Sequence, residues 1–225
     1  MIKKILLALA ICVSVVSQAN AAGGGAAWDK APQRTNDMAA LQNGAKMFAN
    51  YCLNCHSAGY MRFNRLQDIG LTDKQIKENL NFISDKTGDL MKITMDPVEA
   101  KKWFGATPPD LTLVARSRKP EWVYTYLLNF YADPSRPLGV NNKVFKDVGM
   151  PHALLDLQGL PECAPGPVLA ANGGIKRDLM TGADILDDPC GRFNINKAGS
   201  MTEEEFQTAV YDLVNFLTYI AEPMA

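Results

Sequence analysis

Apolar positions in this chain fall into a helical rhythm several times and never into a sustained alternation. Leu41, Ala45, Phe48, Ala49 and Cys52 recur at three- and four-residue spacing behind Thr35-Asn36-Asp37, residue types that cap helix N-termini. The pattern predicts a first helix that delivers the chain to position 52. Thr72-Asp73-Lys74-Gln75 reads as a capping box, with Ile76, Leu80 and Ile83 on one face behind it. Asp96-Pro97 opens a short helix that Gly105 can end. Pro120 opens another, which carries Trp122, Val123, Tyr126, Leu127 and Phe130 and stops near Asp133-Pro134. The last helix is the clearest: Thr202 and Glu205 make a second capping box, and Phe206, Val210, Leu213, Val214 and Leu217 form its buried stripe ahead of Pro223. Between Gly159 and Gly199 periodicity is lost among Gly, Pro, Asp and Asn, which predicts a long inserted loop. The expected class is mainly α, and a loop of that length inside a compact protein needs a reason to be there.

The N-terminus belongs to a different kind of segment. Met1-Ile2-Lys3-Lys4 is a short basic head, Ile5 to Val16 is an apolar core, and Ala19-Asn20-Ala21 has the small residues a signal peptidase reads. The core is shorter than the roughly 20 residues a membrane span needs. Residues 1–21 are therefore expected to be a secretory signal peptide, leaving a single domain over 22–225 that faces the periplasm. The chain has 225 residues, 47% of them hydrophobic, enough for one sizeable core. A net charge of -1 argues against a nucleic-acid partner. Glu203-Glu204-Glu205, the densest acidic run, sits where a helix N-terminus welcomes it.

Chemistry concentrates in Cys52-Leu53-Asn54-Cys55-His56, whose Cys-x-x-Cys-His spacing is that of covalent c-type haem attachment. Two cysteines in one turn bond the vinyl-derived carbons of a haem, and the following histidine binds the iron from one face. Without a second Cys-x-x-Cys, a four-thiolate zinc site cannot be assembled; a dithiol redox pair is the blander alternative. Cys12 leaves with the signal, so Cys163 and Cys190 remain as an even pair in a compartment that permits disulfides. A bridge there would stabilise by about 3 to 4 kcal/mol in the chain-entropy model and would give the long loop its reason. The opposite face of the iron needs a second ligand. His152 is the only other histidine, and Met150 lies two residues earlier in Val148-Gly149-Met150-Pro151-His152, where glycine lets backbone approach a flat cofactor and proline stiffens the loop. Either could serve; a thioether raises the potential and suits electron transfer.

Several separated pieces together resemble the cytochrome c1 family, the haem subunit of ubiquinol-cytochrome c reductase, in its proteobacterial form. They are Tyr51-Cys52-Leu53-Asn54-Cys55-His56-Ser57, Tyr60-Met61-Arg62-Phe63-Asn64-Arg65, Pro108-Pro109-Asp110-Leu111 with Arg116 and Arg118, Val148-Gly149-Met150-Pro151, and Phe216-Leu217 with Ala221-Glu222-Pro223. The resemblance implies a cytochrome c-like haem domain enlarged by insertions, with the first and last helices crossing near the haem. Gly44 and Phe48 on one helix and Tyr211 and Val214 on the other are the expected contacts. It implies Met150 as the distal ligand, Pro109 in the haem crevice near His56, and Arg118 beside a haem propionate. It also implies one covalent haem c, a cytochrome b subunit as neighbour, a Rieske iron-sulfur protein as donor and a cytochrome c as acceptor. The polypeptide alone is then an electron-transfer subunit rather than an enzyme.

Such proteins continue after the Glu-Pro segment into a C-terminal membrane helix, whereas this sequence stops at Ala225. The expectation is a chain truncated before its anchor, or one held by partners, at the periplasmic face of the bacterial inner membrane. Two other classes remain open from the residues: a free periplasmic electron carrier, and a haem peroxidase or gas sensor, which would need an open iron site.

Overall fold

A computed structural model describes residues 28–31, 34–170, 172–185 and 188–222. The expected signal segment, its cleavage point after Ala21, and Pro223 lie outside the described residues. Helix α1 spans Met38–Met47, and Asp37 caps it, its Oδ1 accepting from the backbone N–H groups of Ala39 and Ala40 at 3.1 Å each. The helix then widens into a π turn over Phe48–Cys52, closed by Leu53 N–H donating to the Phe48 carbonyl at 2.9 Å. Such wide turns cluster at functional sites because they re-aim the residues that follow. Here the residues that follow are Cys55 and His56.

Next come β1 (Ala58–Arg62), a 3-10 stretch over Phe63–Ile69, α2 (Asp73–Asn79) and β2 (Leu90–Met91). The Thr72–Gln75 capping box of α2 is formed in both directions. That helix is shorter than its apolar spacing suggests: it ends at Asn79, and Ile83 packs onto the core from the loop beyond. Helices α3 (Pro97–Phe104), α4 (Val114–Arg118) and α5 (Pro120–Leu128) follow, then β3 (Phe130–Ala132), β4 (Val140–Asn142), α6 (Leu155–Gln158), β5 (Gly159–Gly166), β6 (Asp188–Ala198) and α7 (Glu203–Ala221). Gly105, at φ +79°, ends α3, and Thr202 with Glu205 caps α7 reciprocally. Phe130, counted above as the end of the helical stripe, already belongs to β3.

Helices α1 and α7 cross at Gly44. A Cβ there would overlap the Asp212 carbonyl oxygen and lie 2.6 Å from Phe216 Cβ, so only glycine permits this approach. One turn later Phe48 packs on Phe216 with ring centroids 5.7 Å apart. The crossing thus meets Asp212 and Phe216, while Tyr211 turns to Tyr124, 6.1 Å away edge to face. Around it lies one large apolar core that includes Leu41, Leu53, Phe63, Ile76 and Leu213. A smaller cluster forms around Phe130, Val140 and Val148, with Tyr126, Met150 and Leu160 against it.

The segment 159–199 is no structureless loop. β5 and β6 pair as an antiparallel ribbon, with Cys163 opposite Phe193, and Cys163 and Cys190 form a disulfide whose Cα atoms are 4.4 Å apart. Together with the β1–β2 and β3–β4 pairs, this makes the fold a mixture of helices and small two-stranded sheets rather than purely helical. The ribbon escaped the hydrophobic pattern because β6 has no buried residue along its length. A strand without a buried face carries no alternation to read. Among the described residues no helix is long and apolar enough to cross a membrane.

Candidate functional site

Cys52 closes the π turn and Cys55 stands on the turn that follows it, and both are free thiols. Burial, reinforced by the nearby Cys55, pushes the Cys52 thiol up to about 12, and burial raises Cys55 as well. Redox dithiols work the other way, through lowered thiol pKa values that expose a thiolate. The pair is therefore badly tuned for disulfide exchange.

His56 is buried, and its Nδ1 lies 2.8 Å from the Pro109 carbonyl oxygen. A carbonyl only accepts, so Nδ1 carries the proton and Nε2 keeps its lone pair for a metal. Burial, partly opposed by the bond to Pro109 and by the charge of Asp110, holds the imidazole below its ordinary pKa and so keeps it neutral. The Pro109 segment is itself stitched to the chain that leaves the motif. Asp110 Oδ2 accepts from Gly59 N–H at 2.7 Å, Leu111 N–H donates to the Ser57 carbonyl at 2.8 Å, and Asp110 Oδ1 accepts from the N–H and hydroxyl of Thr112. An outer contact of this kind fixes a ligand's ring orientation.

Cys52, Cys55, His56, Pro109, Arg118 and Met150 all line one cavity of about 330 Å³. That lies in the range of small-molecule sites. The rest of its wall is almost wholly apolar, including Phe104, Leu111, Val123, Leu213 and Leu217. The donor set is two thiols on one turn, an imidazole nitrogen and a thioether, within an apolar shell that leaves a space no side chain fills. These residues fit a covalently held haem.

His152, the rival to Met150, is not part of the cavity wall. It is buried on the other side of its loop, stacked on Phe130 with centroids 5.1 Å apart and planes 2° from parallel. Burial lowers its pKa to about 4 despite Gln158 and the Gly159 backbone nearby. Neither His152 Nε2 nor Gln158 Oε1 makes a hydrogen bond of good geometry. Gly149 lines the cavity as well, and it has a second reason to be glycine: a Cβ on it would strike the Phe104 carbonyl oxygen at the end of α3.

The Met150 loop is held by two consecutive asparagines that no motif or periodicity singles out. Asn142, buried on β4, donates from Nδ2 to the Tyr126 carbonyl at 2.8 Å, and its Oδ1 accepts from Val144 N–H and Phe145 N–H. Asn141 Oδ1 accepts from Asp147 N–H at 2.8 Å, and Asn141 Nδ2 donates to Asp133. Their only sequence signal is a polar pair between turn-rich flanks. Tyr126 is also more than part of an apolar stripe. Its hydroxyl donates to Met150 Sδ at 3.4 Å, and burial pushes its phenol pKa upward. Trp122 stacks on it at 5.0 Å, and Arg118 lies over the Trp122 ring at 5.1 Å. Arg116 points elsewhere, to Glu222 at 3.7 Å. Between Arg118 and Pro120, Lys119 holds φ +76°.

The model of the cytochrome c1 family matches residues 28–225. The chain belongs to that family. Cytochrome c1 of Allochromatium vinosum is 45% identical over 204 residues, covering 90% of this chain and 78% of that protein. The ammonia monooxygenase gamma subunit of Nitrosomonas europaea is 42% identical over all of this chain and 85% of its own. Cytochrome b/c1 of Bradyrhizobium diazoefficiens is 23% identical over 83% of this chain and 29% of its length. Family membership supports a haem cofactor and an electron-transfer role in respiratory complex III.

Proposed function

We propose that this chain carries a single haem c, bonded through Cys52 and Cys55 and ligated by His56 and Met150, and passes electrons one at a time from a Rieske iron-sulfur protein to a cytochrome c. The haem supplies a one-electron ferric–ferrous couple. The polypeptide's part is to hold a neutral His56 in one tautomer through Pro109, to present Met150 on a stapled loop, and to exclude water with an apolar wall. Arg118, at the cavity edge on Trp122, is the candidate partner for a propionate. The single observation that carries this reading is that His56 and Met150 share one cavity with both cysteines while His152 is turned away from it.

The setting is a complex with a cytochrome b subunit at the periplasmic face of the inner membrane. The name of the Bradyrhizobium relative, cytochrome b/c1, supports that neighbour. A free periplasmic carrier is the alternative.

Expression with c-type maturation tests the site. Haem should resist acid–acetone extraction, and the ferrous protein should be six-coordinate and slow to bind carbon monoxide. Met150→Ala should bind it rapidly, as a peroxidase or sensor would. A Met150→Ala protein with an unchanged spectrum would sink the assignment. Copurification with a cytochrome b and a Rieske protein supports the complex; recovery alone from periplasm supports the free carrier.

A further inference from the structure

Tyr126 is placed with more care than a filler of the cavity wall requires. On α5 it stands one turn after Trp122 and one turn before the strand residue Phe130, stacked on the first at 5.0 Å and 9° and meeting the second edge-on at 5.2 Å and 73°. Its backbone carbonyl is gripped by Asn142, whose Oδ1 also caps the start of the loop that reaches Met150. Ring and loop are thus fixed to one another through a buried side chain. The hydroxyl ends 3.4 Å from Met150 Sδ, within the range of an O–H···S bond.

We propose that Tyr126 is a positioning residue for the iron: its hydroxyl occupies one lone pair of the Met150 sulfur, leaves the other for the metal, and weakens the sulfur as a donor. This rests on Met150 being the distal ligand. A thioether has two lone pairs, so a donor on one dictates where the other points. Withdrawal of density from sulfur destabilises the ferric iron more than the ferrous iron, because the ferric state draws more on its ligands. The bond therefore raises the reduction potential and holds the sulfur in one orientation.

The test compares holoprotein with Tyr126→Phe, which keeps the ring and its stacking, and with Tyr131→Phe, which removes a phenol that packs against Phe193 outside the cavity. Redox titration is read as the ferric-to-ferrous ratio at one fixed ambient potential. Tyr126→Phe should shift that ratio about fivefold toward ferric, the scale of one hydrogen bond. The sulfur-to-iron charge-transfer band of the ferric spectrum should move with it. Tyr131→Phe should change neither. A Tyr126→Phe protein that loses the low-spin spectrum also supports the inference, since only the hydroxyl is gone. An unchanged ratio and band in a protein still ligated by Met150 overturns it. A wild-type protein without the methionine band overturns it together with the site assignment, and that is seen before any variant is made.

Discussion

The crossing of α1 and α7 and the β5–β6 ribbon solve the same problem by opposite means. At the crossing, Gly44 lets two helices touch backbone to side chain, and Phe48, Leu213 and Phe216 disappear into one core. Burial of apolar area holds that region, at roughly 25 cal/mol per Å². The ribbon buries little along β6, and what holds it is a ladder of backbone bonds, many of them at the surface, closed by Cys163–Cys190. The difference bears on function. The haem motif and the cavity wall grow out of the region held by burial, while the ribbon is attached beside it through the short α6 and Gly159, where φ is +88°.

The largest effect on the whole fold is expected at Gly44. Gly44→Ala drives a methyl into the Asp212 carbonyl, and the helices must part or shift. Overpacking typically costs about 1–3 kcal/mol, and a backbone neighbour that cannot rotate away puts this case at about 3. Chemical denaturation should show the loss, with haem binding weakened as well; a loss under about 1 kcal/mol would mean that the crossing is looser than it looks.

Removing the disulfide comes next. In Cys163→Ser/Cys190→Ser, opening of the ribbon should become easier by about 3 to 4 kcal/mol in the chain-entropy model. Hydrogen exchange should then speed up in β5 and β6 while amides of α7 keep their protection. Equal loss in both would make ribbon and core one cooperative unit and end the comparison.

Asp212 gives the smallest effect and a sign that depends on pH. Burial raises its carboxyl pKa, against the bond from Asn43 Nδ2 at 2.7 Å and with Arg34 opposing and Asp37 reinforcing the shift. A carboxyl with a raised folded-state pKa contributes stability below its unfolded value, lost as pH rises through the folded value. Asp212→Asn should therefore raise Tm slightly at pH 7, with the gain fading as pH falls toward 4. A gain that grew on acidification would contradict the assignment.

What was legible in the chain follows the same division. Asp37, Thr72 with Gln75 and Thr202 with Glu205 announced their helices because a cap is a local bond between residues a few positions apart. Cys52, Cys55 and His56 announced the cofactor for the same reason, since the chemistry needs them within one turn. Met150 and His152 could not be separated by spacing; which one faces the cavity depends on the loop path that Asn141 and Asn142 impose from β4. Tyr126 looked like core, because nothing local says that its hydroxyl finds a sulfur 24 residues away. The β strands were hidden because β1 to β4 span five residues or fewer, too short to show an alternation, and β6, the longest, has no buried residue.

By itself, then, the sequence determined the helices that carry their own caps, the cysteine pair with its histidine, and the family to which they belong. Each of these is written within a turn or two of chain or in pieces kept in order. Tertiary structure alone decided that Pro109 sets the tautomer of His56, that Met150 lines the cavity while His152 stacks on Phe130, and that the chain on either side of the expected Cys163–Cys190 bridge pairs as the β5–β6 ribbon. Those outcomes depend on which distant groups burial brings within hydrogen-bonding reach, and no local pattern encodes that.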